Sequence, residues 1–152
     1  MTIRIDIDDP NKPDIVALLR DGETYGASLY PAESNHFTAL DTLSASNVRF
    51  VVARNIEGVA VGTGAIALFG DWAELKRMWV VPSARGCGVS KAILADLESM
   101  ARTAGITLIR LETGVKNYEA IALYQRAGFT RCEPFADYRP DPLSLFMQKV
   151  IR

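Results

Sequence analysis

The sequence predicts a mixed α/β (α+β) fold in which a central, mostly antiparallel sheet is flanked by helices. Runs of β-branched and aliphatic residues with strand spacing are interleaved with stretches of helical spacing along the whole chain. Three of the strand-like runs follow one another directly across tight-turn residues, as an antiparallel meander requires. No internal repeat, low-complexity tract or linker divides the 152 residues, so residues 1–152 are expected to form a single domain able to bury a sizeable core.

Residues 2–8 read as a first strand, with Ile3, Ile5 and Ile7 on one face. A helix follows from residue 11 to about 29. Asn11 starts it, and Pro13 stands in the first turn, where a missing N–H costs nothing. Gly22 and Gly26 are expected to weaken this helix and end it early. Ser34 and Asn35 are placed to cap a short helix carrying Phe37, Leu40 and Leu43. Strands over 48–54, 59–69 and 73–81 come next, separated by turns at Glu57-Gly58 and Gly70-Asp71. Val89, Ile93, Leu97, Met100 and Ala104 recur at helical spacing over roughly 88–104, and Gly105 stops that helix. Residues 106–113 read as a buried strand and 117–127 as an amphipathic helix closed by Gly128. Two last strands, 129–133 and 143–150, enclose a proline-rich segment, giving the order β-α-α-β-β-β-α-β-α-β-β.

Composition excludes several classes of function. The formal net charge of −1 gives no electrostatic pull toward nucleic acid or an anionic membrane. The N-terminus lacks the basic-then-apolar layout of a signal peptide, and the longest apolar stretch, 59–69, is broken by Gly62 and Gly64 and too short to span a bilayer. The two cysteines, Cys87 and Cys132, have neither metal-ligand spacing nor a disulfide framework. No metal is expected, and reduced thiols in a cytoplasmic setting are the simplest reading.

The most informative stretch is Val80-Val81-Pro82-Ser83-Ala84-Arg85-Gly86-Cys87-Gly88-Val89-Ser90, where a strand enters a tight loop with two glycines that opens directly into a helix. Such a loop aims backbone N–H groups outward, and the helix dipole adds partial positive charge. Gly86 and Gly88 allow close approach of a ligand and Arg85 adds a charge, which together suit a pyrophosphate. An ordinary strand-to-helix connection also uses glycine, so the loop alone is a weak signal. There is no Gly-Lys-Ser/Thr and no third glycine in dinucleotide spacing, and the loop comes after four strands instead of one. These features count against a nucleoside-triphosphatase or a dehydrogenase.

At these residues the chain resembles the GNAT superfamily of N-acetyltransferases, the bacterial single-domain type. The family's Arg/Gln-x-x-Gly-x-Gly/Ala signature stands here as Arg85-Gly86-Cys87-Gly88-Val89-Ser90 after Val80-Val81-Pro82, with Ser90 in place of the usual glycine or alanine. The second signature, Asn-x-x-Ala-x-x-Leu-Tyr-x-x-x-Gly-Phe, runs from Asn117 to Phe129 with every named residue present. The resemblance implies the GNAT fold, whose fourth and fifth strands splay apart to admit the pantetheine arm of acetyl-coenzyme A. It implies main-chain hydrogen bonds to that arm from Met78, Trp79 and Val80. The pyrophosphate falls to Gly86, Cys87, Gly88, Val89, Ser90 and Lys91 beside Arg85, and a further contact with the arm to Asn117, which can equally serve as a plain N-cap.

The resemblance also assigns the chemistry. Tyr124 matches the general acid toward the coenzyme A sulfur; as a plain structural residue it would be a core aromatic sharing a helix face with Ile121 and Ala127. Glu112 and Glu74 compete for general base, and Glu112 is favoured because its strand end opens toward the thioester. Each could instead be in a salt bridge, Glu112 with Arg110 or Arg126, and Glu74 with Lys76 or Arg77. Ser34, Asn35, His36 and Tyr138 are candidate walls of the acceptor pocket. The function implied is direct transfer of acetyl from acetyl-coenzyme A to a primary amine of a small molecule or peptide, with a homodimer as one possible assembly and no nucleic-acid or membrane partner. A catalytically silent acyl-coenzyme A sensor and an aminoacyl-tRNA-acetylating toxin stay open as alternatives; intact Tyr124, Glu112 and Glu74 argue against the first and near-neutral charge against the second.

Overall fold

Alternation within single strands shows that the sheet is covered on both faces. In β2 (Val48–Asn55), Phe50 and Val52 pack into one apolar cluster and Val51 and Ala53 into another, and all four are buried. The computed structural model describes residues 2–34 and 39–152. Its other strands are β1 (Ile3–Ile7), β3 (Ala60–Phe69), β4 (Trp72–Val80), β5 (Leu108–Gly114), β6 (Thr130–Arg131) and β7 (Ser144–Val150), and its helices are α1 (Pro13–Leu29), α2 (Leu40–Leu43), α3 (Val89–Thr103) and α4 (Tyr118–Arg126). The seven strands form one sheet in the order β1-β2-β3-β4-β5-β7-β6. Every described pair is antiparallel except β4 with β5. One face carries α1 and α2, with Ile15, Leu19 and Leu43 in the cluster of Phe50 and Val52. The other carries α3 and α4, with Val89, Ile93, Leu97 and Tyr124 in the cluster of Val51 and Ala53.

The expected element order holds, and three local expectations need correction. Helix α1 runs through Gly22 and Gly26 to Leu29. The Trp79 ring fills the space over Gly22, where an added Cβ would stand 3.2 Å from Trp79 Cγ, so tertiary packing outweighs the poor helix propensity of glycine. Asn11 does not cap the helix: its side chain bonds Asp9 and Ser44, and Lys12 at the N-cap makes no side-chain cap. Ion pairs from Arg54 to Asp14 (2.9 Å) and Asp8 (3.2 Å) tie the start of α1 to β2 instead. Nor does Ser34 cap α2, which begins after Ala39; it lies in a 3-10 turn, Ala32–Ser34, and donates to Asp141. Asn35, His36 and Phe37 lie outside the described residues. Among the described residues, no helix is long and apolar enough to cross a membrane.

Helix α3 presses on β3 closely enough to forbid a side chain at Gly64. A Cβ there would lie 2.5 Å from Ile93 Cγ2, 2.9 Å from Met78 Sδ and 3.0 Å from Leu97 Cδ1. Gly64→Ala is therefore expected to destabilise the protein by about 1–3 kcal/mol through overpacking, read as a lower denaturant midpoint at constant slope. A midpoint equal to wild type would show that α3 can retreat without cost.

Candidate active site

The parallel pairing of β4 with β5 runs from Trp72↔Leu108 to Leu75↔Leu111 and stops, although β4 continues to Val80 and β5 to Gly114. The cause lies in β4 itself. Its register against β3 shifts between Lys76 and Trp79, so that Arg77 and Met78 together oppose Gly64, and Arg77 adopts φ 55°. The buried Thr63 hydroxyl donates to the Arg77 carbonyl at 2.8 Å and holds the bulge. A bulge bends its strand, and here it turns the end of β4 away from β5. A cleft of about 420 Å³ occupies the gap, lined by Met78, Trp79 and Val80 from one strand and Glu112, Thr113 and Gly114 from the other.

One end of the cleft meets the glycine loop. After the 3-10 turn Pro82–Ala84, Gly86 (φ 76°) and Gly88 (φ 79°) both take left-handed backbone, a conformation open to glycine without strain. Helix α3 starts immediately after Gly88 with no side-chain cap, leaving its first-turn N–H groups at the loop. Gly86, Cys87, Gly88 and Lys91 are exposed beside the cleft, while Arg85 and Ser90 line it. The Val89 side chain belongs to the core. Arg85 donates from Nε to the Val80 carbonyl at 3.3 Å, and its guanidinium lies 5.3 Å from the Tyr25 ring centre and 5.2 Å from that of Trp79. That places its charge against α1.

The titratable residues gather where the sheet opens. Glu112, Glu74, Tyr124 and Tyr138 all line the cleft, with Ser34 and Asn117. Glu74 is buried; its Oε2 accepts from the Tyr138 hydroxyl at 2.6 Å and lies 3.3 Å from Lys76 Nζ. Glu112, half-buried, accepts from the Ser144 hydroxyl at 2.8 Å. Arg110, opposite Glu74 in the register, lies over the rings of Trp72 and Phe135. Tyr124 is buried on α4 with its ring 5.7 Å from that of Phe129. Burial, reinforced by the charge of Glu112, pushes its pKa far above the ordinary tyrosine value, so the phenol keeps its proton at neutral pH. Burial and the bond to Glu74 do the same to Tyr138, whose ring packs between Phe135 (5.1 Å) and Phe146 (5.5 Å).

Asn117 precedes α4 but makes no side-chain cap. Its side chain accepts from the Tyr30 hydroxyl at 3.0 Å and donates to Thr113 Oγ1 at 3.2 Å. Tyr30 and Ser144 were not singled out in the sequence, and no local signal marks either. Ser144 reaches Glu112 only through the β5–β7 register, and Tyr30 reaches Asn117 across 87 positions of chain. Among the described residues, no group of three His, Cys, Asp or Glu is arranged to hold a metal ion.

Comparison with known proteins agrees with this geometry. Residues 13–129 match the family model described as "Acetyltransferase (GNAT) family". The chain is 46% identical over 142 residues to an IAA acetyltransferase of Azospirillum brasilense, covering 92% of each chain. A solved Klebsiella pneumoniae structure, assigned to the acyl-CoA N-acyltransferases, is 34% identical and superposes with a TM-score of 0.83 over 97% of both chains. The PaiA N-acetyltransferase of Thermoplasma acidophilum, solved with coenzyme A, shares the fold at 18% identity, with a TM-score of 0.77 over 99% of this chain and 100% of that one. On the family match and these relatives together, the chain belongs to the GNAT family and is an N-acetyltransferase.

Proposed function

We propose that the enzyme transfers the acetyl group of acetyl-coenzyme A directly to a primary amine of a small molecule or peptide. The observation that carries this reading is the opening between β4 and β5, with the uncapped start of α3 at one end and Glu112 and Tyr124 lining it. In this reading the main-chain N–H groups from Gly86 to Lys91 hold the pyrophosphate, aided by the dipole of α3 and the charge of Arg85. The edge of β4 at Met78, Trp79 and Val80, left without a β5 partner, offers main-chain hydrogen bonds to the pantetheine arm, and Asn117 adds a contact from the other wall.

The amine must lose a proton before it attacks the thioester carbonyl, and the departing thiolate must gain one. Tyr124 suits the second task, because a phenol that stays protonated at neutral pH is available to donate. Glu112 suits the first. Glu112 is only half-buried at the cleft, whereas Glu74 is buried, engaged by Tyr138 and Lys76, and anchors the 134–142 segment over the sheet. Ser34, bonded to Asp141 of that segment, and Tyr138, within the segment and packed on Phe135 and Phe146, wall the acceptor side; Asn35 and His36 are proposed to complete it. The 46% identity to an IAA acetyltransferase makes small molecules the first acceptors to screen by coenzyme A release, IAA among them.

Acetyl-coenzyme A is expected to raise the melting temperature, and Gly88→Glu to abolish the shift, since an anionic side chain at a left-handed position both strains and blocks the loop. A folded Gly88→Glu protein with an undiminished shift would remove the loop from the cofactor site. Tyr124→Phe should slow turnover at least about tenfold with nearly unchanged cofactor affinity, because the lost proton donor acts in the transition state. Wild-type turnover would make Tyr124 a core residue only.

Glu112→Gln should cost most turnover near neutral pH and recover part of it at high pH, where the amine arrives already deprotonated. Glu74→Gln should give a smaller, pH-independent loss. The reverse pattern in the two pH–rate profiles would transfer the base to Glu74, and absence of rescue in both would take the role from each.

A further inference from the structure

Asn117 carries both a hydrogen-bond acceptor and two donors on its side chain, and the surrounding network decides which of them the cleft receives. The Tyr30 hydroxyl accepts from the Lys116 main-chain N–H at 2.9 Å. The direction of that bond is fixed, because an amide N–H can only donate. The hydroxyl has one proton of its own, and Asn117 Oδ1 stands 3.0 Å away to take it. With Oδ1 committed to Tyr30, the amino group takes the other edge of the planar amide, where it donates one N–H to Thr113 Oγ1 at 3.2 Å. An amide NH₂ has a second N–H. Among the described residues Thr113 alone accepts from this group, and Asn117 lines the cleft.

Tyr30 is itself held firmly. It is 8% exposed, and its ring packs so tightly on Gly114 that any Cβ there would collide with it. Lys116 Nζ lies 5.8 Å from the ring centre and donates to the Leu29 carbonyl at 3.2 Å, closing a second link between the end of α1 and the connection from β5 to α4.

Resting on the acetyl-coenzyme A reading above, we propose that Tyr30 is a positioning residue that fixes Asn117 as a hydrogen-bond donor to the amide carbonyls of the pantetheine arm. Its effect on the cofactor then passes entirely through Asn117. Because Tyr30 immediately precedes the segment whose Ser34 reaches Asp141, the same hydroxyl joins the acceptor-side wall to the cofactor arm.

The test is a double-mutant cycle on the whole protein, with acetyl-coenzyme A binding measured by calorimetry. Tyr30→Phe, which keeps the ring on Gly114, is expected to weaken binding about five- to tenfold, the size of one well-placed hydrogen bond. Asn117→Ala should lose at least as much, and the double variant should bind no more weakly than Asn117→Ala alone. Asn117→Asp, which can still accept from Tyr30 but cannot donate, should lose as much as Asn117→Ala. Losses that multiply in the double variant would overturn the proposal, as would wild-type affinity in Tyr30→Phe or in Asn117→Asp. Wild-type affinity in Asn117→Ala would strike Asn117 from the cofactor site and take the proposal with it, leaving the acetyl-coenzyme A reading intact. Failure of the wild-type protein to bind acetyl-coenzyme A would sink that reading itself. Circular-dichroism melts of each variant keep loss of fold apart from loss of binding.

Discussion

The extra residue in β4 is the constraint on which the rest of the site depends. Without the shift that sets Arg77 and Met78 opposite Gly64, β4 would stay in register with β5 and the sheet would close. The conformation is held from three sides. Thr63 donates to the Arg77 carbonyl, the Arg77 guanidinium pairs with Glu23 of α1 at 2.6 Å, and the absent side chain of Gly64 lets Met78 and α3 close over the gap. A non-glycine residue in left-handed backbone persists only where its surroundings over-determine it. Here those surroundings are one helix on each face of the sheet and the neighbouring strand.

Opening the sheet has two consequences. Backbone groups freed at the ends of β4 and β5 face the cleft in place of a strand. The carboxylates brought to the edge of the opening also need compensation, since a buried charge is costly unless hydrogen-bonded or paired. Glu74 obtains this from Tyr138 and Lys76, Glu112 in part from Ser144. The difference in exposure follows: Glu74 is enclosed beneath the aromatic cluster of Phe135, Tyr138 and Phe146, while Glu112 stays half-open to the cleft.

Much of this architecture was legible in the sequence because it rests on local rules. Alternation marked β1, apolar runs bounded by turn residues marked the central strands, and helical spacing marked α3 and α4, since in these elements the burial is written into the chain itself. The loop from Arg85 to Ser90 was legible because its two glycines stand together between a strand and a helix, and both take the left-handed backbone that glycine adopts without strain. What escaped was decided by distant partners. Nothing near Gly22 announces that Trp79 will fill the space over it, so the local sequence predicts a shorter α1 than the fold contains. Nothing near Tyr138 announces Glu74, 64 positions away, as the acceptor of its hydroxyl, nor does Tyr30 announce Asn117. Such contacts belong to the register of the sheet and the path of the connections across it.

The two borders of the sheet carry a consequence of their own. On one side the last strand, β6, offers only Thr130 and Arg131, and on the other β1 alternates Ile3 and Ile5 with the charged Arg4 and Asp6, paired at 2.6 Å. A foreign strand seeking to extend the sheet would meet a ladder two residues long at one border and a row of charge at the other. The fold therefore parts its strands in the middle while keeping a short border on one side and a charged one on the other, an arrangement that disfavours edge-to-edge pairing.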